Sequence, residues 1–559
     1  MGGIKSALWR SFFRDRWLLW LFGAGLAMRL AFALLPLRIH LSLLEDDAWM
    51  VTAIARNAAL GNGISADGVN PTNGFHPLYP LTLGVLPYLL APDDLAFGFT
   101  ANMVICAVIN ALTMIPLAML LQQFVPLWAA RAGVALFALN THLIRLSVNA
   151  METSLALLLL VSLVLAWTTV SHTRWSAAIK LGGLAALAIL ARLDNGLMGA
   201  SIGLVWLFEI FRQRNNIKFL FAYGIAATLV LVPYFVRNLT VFGGVTPSSG
   251  RALAYLHSYA ESFTLTGGTQ FIPYNSIIPL SFITSTPILV LLAGIIFATL
   301  AWLSVSSKEH KSTLAIITLY TFVITMYYSY IQQQGNPRYY SGISTLLIVP
   351  LMIIVTKIIN NKTTFRVIGV SLAMAAIIFF NSIEAWSKYT EAAEAGYLSQ
   401  TTMYEAALWM AQNVPVDARV AARNSGIYQY YSRRTILNID GKLNHEIIPV
   451  LEKRGLLSYL RSKNIEYIID LQDIDEYIEF YSAELSEADP HHEIGLGEKL
   501  TIYARLLGRK AGLPVDPPKL EQRTVERTIK PLTAVAPVWK SFVRPNDPAN
   551  PITIYRLLP

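Results

Sequence analysis

Three consecutive acids, Glu45, Asp46 and Asp47, follow the first long apolar run of the chain and precede Ala48-Trp49. Carboxylates in or beside a bilayer are costly to keep ionised, so an acidic triplet at the outer mouth of a helix bundle points to function. Adjacent side chains point in different directions on a helix or a strand. One of Asp46 and Asp47 can therefore face a substrate atom as a base, while the other holds a cation or orients its neighbour. Asp47 is the candidate ligand for a divalent cation (Mg, Mn or Ca). A solvated acid pair opening a loop would leave the same trace.

Other polar groups fall on the same side. The Gly- and Pro-rich stretch Asp67 to Leu78 carries Asn70, Asn73 and His76. Its fixed turns and hydrogen-bonding side chains suit a hydroxyl-rich ligand, and His76 either donates to a phosphate or caps the next helix. Glu152, Arg192 and Asp194 sit at expected outer helix ends and are candidates for donor or acceptor binding, although by the base rate for ion pairs a buried Glu152–Arg192 pair is the readier explanation. Arg237, Arg251 and Arg338, with Tyr339 beside the last, are candidates for phosphate binding, because a guanidinium fork matches phosphate oxygens. An outer arginine can also snorkel to headgroups. Asn424-Ser425-Gly426 and Asn438-Ile439-Asp440-Gly441-Lys442 lie where α/β folds place ligand loops. His491-His492-Glu493 lacks further ligands at zinc spacing and reads as a solvated loop. No P-loop, GxSxG elbow, HExxH or dinucleotide motif is present.

The elements that must position these groups are set by composition. Of 559 residues, 54% are hydrophobic and only 14% charged, more apolar surface than a water-soluble fold of this length buries. Runs near 17–39, 97–121, 127–146, 152–170, 177–192, 197–211, 217–236, 276–304, 313–331, 341–357 and 366–386 read as spans, about eleven transmembrane helices. The first run is too long for a signal-peptide core and lacks a cleavage site, so it stays attached. With a cytoplasmic N-terminus, the inner connections carry most of the Lys and Arg, and an odd helix count puts the C-terminus outside. The formal charge of +9 is spread over short loops, so it signals topology and not nucleic acid. The lone Cys106 excludes a disulfide framework.

Two outer loops are long. The first, 40–96, contains Pro77 to Leu90, short for a span and Pro-punctuated, which reads as an interfacial or re-entrant helix. The second, Arg237 to Asn275, is Gly- and Pro-rich and reads as irregular. Beyond Trp386 the composition becomes that of a soluble domain: Tyr404 to Asn413 reads as a helix, and Ala418–Ala422, Thr435–Ile439 and Ile465–Asp470 as strands. The expected division is a transmembrane domain over 1–393, with 40–96 as its catalytic loop, and an extracytoplasmic α/β domain over 394–559.

An acidic pair after the first helix, a long outer loop with an interfacial helix and an outer C-terminal domain together resemble the GT-C superfamily of membrane glycosyltransferases. Asp46-Asp47-Ala48, the stretch from Arg56-Asn57 to Gly63, Asn70-Pro71-Thr72-Asn73-Gly74-Phe75-His76-Pro77-Leu78 and Met151-Glu152-Thr153 resemble bacterial terminal arabinofuranosyltransferases and the lipid A aminoarabinose and protein mannosyltransferase group. Asn424-Ser425-Gly426 and Asp440-Gly441 are similar, more loosely, to the outer domain of that group.

The resemblance implies a sugar donor carried on a polyprenyl phosphate and a glycan, lipid or protein acceptor hydroxyl outside the cytoplasm. It also implies inversion at the anomeric carbon and residence in a bacterial plasma membrane among its lipids. Asp46 matches the family's loop acid in position, with Asp47 adjacent. Where relatives often carry Trp-Tyr or Lys-Pro-Pro, this chain has Arg338-Tyr339 and Phe75-His76-Pro77. The expected function is polyprenyl-phosphate-dependent glycosyl transfer. The competing reading is a transporter or flippase for a lipid-linked sugar or polar solute, since polar helix ends also line pathways.

Overall fold

Long apolar runs must satisfy every backbone hydrogen bond internally in lipid, and helices do so. The computed structural model describes residues 9–170, 173–213, 216–253, 299–300, 302–303, 310–328, 336–359, 383, 398–471, 474–482, 535–540 and 552–557. Among these, four helical segments are long and apolar enough to cross a membrane: Arg16–Ala33, Leu95–Leu121, Lys218–Phe242 and Arg338–Ile359. A fifth is gained if Leu127–Ala138 and Thr141–Ser147, bent by 57°, form one span. Thr153–Thr169, Trp175–Ala191 and Lys311–Met326 are apolar but shorter. The protein is thus a mostly helical, polytopic membrane protein. The runs expected at 276–304 and 366–386 lie almost wholly outside the described residues, as do the end of the second outer loop and His491-His492-Glu493.

Local chemistry sets the breaks. The first expected span ends at Ala33; Pro36 stops it and starts a short helix, Leu37–Leu43. The expected run 127–146 breaks where the Asn140 side chain accepts the Leu143 N–H at 2.9 Å and caps a new helix. The stretch from Pro77 forms two short helices, Leu78–Thr82 and Leu86–Leu90, and leaves Leu86, Leu89 and Leu90 exposed.

After residue 398 a helix, Leu398–Asn413, leads into a five-stranded mixed sheet of order β2-β1-β3-β5-β4. β1 (Val420–Ala422) runs parallel to β2 (Ile436–Asn438) and β3 (Tyr467–Leu471). β5 (Ile552–Leu557) is antiparallel to β3 and to the edge strand β4 (Val535–Lys540). β1 and β2 lie inside their expected strand regions, and β3 overlaps its own but runs one residue further, to Leu471.

One apolar core joins this sheet to the helix bundle. Trp49, Tyr79 and Met103 are buried with Met403, Tyr428 and Ile469 in a single cluster. Trp49 stacks on Phe99, with ring centroids 5.3 Å apart, and its indole N–H donates to the Tyr431 hydroxyl at 3.4 Å. The helix Asp47–Ala59 is therefore packed from both sides, which fixes the acids at its start.

Candidate functional site

A cavity of about 1050 Å³ opens where the loop over 40–96, the helix ends and the sheet loops meet. Its walls include Glu45, Asp46, Asp47, His76, Glu152, Arg192, Asp194, Arg251, Arg338 and Tyr339, all expected from the sequence except Glu45, which was noted only as part of the acidic triplet. Lys442 joins them from the loop after β2.

The two aspartates face different partners, as adjacency requires. Asp46 turns to the sheet, where the Gly426 N–H donates to its Oδ2 at 2.9 Å and the Ile427 N–H to its Oδ1 at 2.8 Å. These are the first amides of the helix Gly426–Ser432, whose own N-cap, Ser425, offers no side-chain hydrogen bond. Glycine is required at 426, because a Cβ there would stand 2.4 Å from the Asp46 carbonyl oxygen. Burial pushes the Asp46 carboxyl up to about 7 despite both amide bonds, and neighbouring Asp47 adds to the rise.

Asp47 turns to the cavity. Its Oδ2 accepts from Arg338 Nη2, and Lys442 Nζ lies 3.5 Å from its Oδ1. Burial would raise this carboxyl, but Lys442 and Arg338 outweigh it and hold it well below the usual carboxylate range. The same pairing, with Asp47 foremost, raises Lys442 above the ordinary lysine value. Asp440 stands 3.9 Å from Lys442 and is pushed up to about 6 by burial. Arg338 also meets Glu45 Oε2 at 3.1 Å, and the Asn336 amide donates to the other Glu45 oxygen.

A second ionic group forms the far wall. Arg192 Nε donates to both oxygens of Asp194 at 2.9 and 3.0 Å, while its Nη1 lies 3.5 Å from Glu152. The Tyr328 hydroxyl donates to Asp194, and the Tyr328 ring stacks on Tyr339 at 4.7 Å. Tyr339 lies beneath the guanidiniums of Arg192 and Arg338, at 5.0 and 5.1 Å. His76 accepts the Leu193 N–H on Nδ1 at 3.1 Å, which leaves its proton on Nε2, 3.8 Å from Glu152. Burial lowers the His76 pKa, so the ring is neutral near pH 7. Glu152 follows Ala150, a non-glycine at φ 55°, in a turn that Asn149 ties to Leu146 and Thr153.

Three expected residues are placed elsewhere. Asn70 donates its amide to Asp67 at 2.6 Å and stabilises its own loop. Asn73, almost fully buried, accepts the Ser248 N–H at 3.1 Å and ties the loop over 40–96 to the segment after Phe242. Arg237 donates to the Thr72 carbonyl at 3.1 Å and lies over Phe242. None of the three lines the cavity. Arg251 does, but it is 60% exposed and paired with Glu452 at 3.1 Å, so it reaches the rim only.

The described residues do not offer a divalent cation a full ligand set. Among the described residues, no group of three or more His, Cys, Asp or Glu side chains is arranged to hold one. Two cationic side chains already face Asp47, the expected ligand, where a hard cation would need further oxygens.

Solved structures share this fold. The oligosaccharyltransferase of Archaeoglobus fulgidus, tethered to an acceptor peptide with the NVT sequon, superposes with a TM-score of 0.56 at 13% identity, over 84% of this chain and 71% of that one. ArnT from Cupriavidus metallidurans bound to undecaprenyl phosphate gives 0.53 at 12%, over 83% and 94%. The A. fulgidus enzyme AglB with an inhibitory peptide and a dolichol-phosphate gives 0.51 at 12%, over 84% and 71%. The likeness is one of fold. Residues 390–505 match a domain family of unknown function, DUF8728, a stretch that includes β1, β2 and β3. No curated protein matches the chain.

Proposed function

We propose that this protein is an inverting glycosyltransferase of the GT-C superfamily that moves a sugar from a polyprenyl-phosphate donor to an acceptor hydroxyl on the outer side of a bacterial plasma membrane. The carrying observation is Asp47, an anion at the cavity wall facing two cations, Arg338 and Lys442, that can also meet a phosphate. Neighbours of this fold bind undecaprenyl phosphate or dolichol-phosphate, which fits such a donor.

In the proposed step the acceptor oxygen attacks the anomeric carbon from the face opposite the phosphate and loses its proton to Asp47. The bond from that carbon to the phosphate oxygen breaks, and the lipid phosphate leaves with one more negative charge. Arg338 and Lys442 stabilise that charge. An entering phosphate draws both cations away from Asp47 and so returns basicity to a carboxylate otherwise too acidic to act as a base. Asp46 keeps its place as the dock for the sheet. The wider reading places about eleven transmembrane helices, a cytoplasmic N-terminus, a transmembrane domain over 1–393 and an outer domain over 394–559, in keeping with the Lys and Arg distribution.

The test is sugar transfer from a polyprenyl-phosphate donor by purified protein in lipid nanodiscs. Asp47→Asn is expected to lower turnover by roughly 10²–10⁴-fold, the usual contribution of a positioned base, with donor binding retained. Full turnover in this variant would falsify the base assignment.

A further inference from the structure

Two groups on the far wall of the main cavity, Glu152 and His76, take no part in the step proposed above. Each has one end fixed and the other open. Glu152 is only 5% exposed, and its Oε1 faces Arg192 Nη1 at 3.5 Å and His76 Nε2 at 3.8 Å. Its Oε2 has no hydrogen-bond partner among the described residues, yet it is not one of their enclosed unpartnered atoms, so it opens on the cavity that Glu152 lines. The same holds for His76 Nε2. Because the His76 ring accepts the Leu193 N–H on Nδ1, it is neutral and carries its one N–H on Nε2, beside Glu152. A donor and an acceptor thus stand side by side in the wall, both lacking a protein partner.

The pairing selects the chemistry that fits against it. An ammonium suits Glu152 but turns its own protons on the His76 N–H. A phosphate or carboxylate suits that N–H but meets Glu152 as a like charge. Arg192 does not offset this repulsion, since its Nε is held by both oxygens of Asp194. A hydroxyl satisfies both groups, accepting from Nε2 and donating to Oε2. The Tyr328 hydroxyl is committed to Asp194 and does not supply it. Water can meet the same demand, and a ligand hydroxyl that replaces it keeps both bonds.

The pair also lies close to the cations that face Asp47. The Tyr339 ring sits beneath the guanidiniums of both Arg192 and Arg338, so the breadth of one tyrosine ring separates the two ionic groups. A sugar ring is of comparable breadth, and a sugar beside a phosphate held at Arg338 can reach the pair with a ring hydroxyl. We propose that His76 and Glu152 form a specificity subsite that binds one uncharged hydroxyl of a sugar ring and excludes charged groups from that position. A donor sugar and a glycan acceptor share this chemistry. Either role rests on the glycosyl-transfer reading; the hydroxyl binding does not.

The test is equilibrium binding to the full chain in lipid nanodiscs. The probes are undecaprenyl phosphate, its D-glucosyl and D-mannosyl phosphodiesters, and methyl D-glucoside and methyl D-mannoside added over bound undecaprenyl phosphate. Glu152→Gln removes the charge at constant size and leaves Arg192 paired with Asp194, so the wall stays assembled. His76→Phe removes the N–H and keeps a ring. Both variants are expected to bind at least one sugar-bearing probe several-fold more weakly than the wild type, with His76→Phe leaving bare undecaprenyl phosphate unchanged. A loss on a glycosyl lipid assigns the hydroxyl to the donor, and a loss on a methyl glycoside assigns it to the acceptor. The proposal is overturned if no sugar-bearing probe binds, or if either variant binds every one of them as tightly as the wild type. It is overturned equally if His76→Phe weakens bare undecaprenyl phosphate, which would make the histidine a phosphate contact. Because no transfer is measured, a failed transferase assay leaves these outcomes readable, and a failed binding assay leaves the transferase reading standing.

Discussion

The carboxylate of Asp46 holds the backbone N–H of Gly426 at 2.9 Å across 380 positions of sequence. A neighbouring bond to Ile427 makes the acid an N-cap for a helix that is otherwise uncapped. This arrangement separates the roles of two adjacent aspartates and makes them experimentally distinguishable.

Asp46→Ala leaves two buried amides without acceptors and is expected to cost about 1–3 kcal/mol for each. Asp46→Asn keeps one acceptor oxygen and removes the burial cost of a charge, so it should change stability by less than about 1.5 kcal/mol and retain sugar transfer. Thermal unfolding in detergent and exchange rates of the 426 and 427 amides measure both. Equal losses in the two variants would remove the capping role.

Stability should fall as pH rises toward neutrality. Asp46 and Asp440 have folded-state pKa values of about 7 and about 6, above the ordinary 3.8, so between these limits the folded chain holds more protons than the unfolded chain. Their contribution is fully present below 3.8 and is lost as pH climbs through the folded values. Asp47, depressed by Lys442 and Arg338, acts oppositely and loses its contribution on acidification below 3.8. Unfolding midpoints at pH 5 and pH 7 should differ in the wild type and differ less in Asp46→Asn; an identical difference in both would exclude Asp46 as a source.

Arg338 links Glu45 to Asp47 through separate guanidinium nitrogens, which an ammonium cannot reproduce. Arg338→Gln should reduce turnover by roughly 10²–10³-fold, the scale for losing one donor to developing charge, and Arg338→Lys should recover part of it. Initial rates against donor concentration separate this from a structural role, in which unfolding temperature would fall while turnover per folded molecule stayed constant.

Much of the site could be read from residue types. Topology alone put Asp46, Asp47, Glu152, Arg192, Asp194 and Arg338 at one end of the bundle, and the structure gathers them around one cavity. Lys442 was visible only as the end of a loop motif, because its pairing with Asp47 spans 395 positions and no local pattern encodes so distant a contact. The division of labour between Asp46 and Asp47 was equally hidden, since it depends on which carboxylate meets the amides of a remote helix. Asn70, Asn73 and Arg237 have the right chemistry for ligands, yet nearby loops claim them. The bend after Ala138 was foreshadowed by Asn140-Thr141, an N-cap signal inside an apolar run that hydropathy averages away.

The core shared by Trp49, Met403 and Tyr428 bears on how such a protein can be rebuilt. A chimera that exchanges the tail for that of another protein would bring a foreign surface against the Trp49 helix and strand the Asp46 carboxylate opposite unmatched amides. Exchange is compatible with this packing only when the loop over 40–96 travels with the tail, so the two segments form one interchangeable cassette despite the several hundred residues between them.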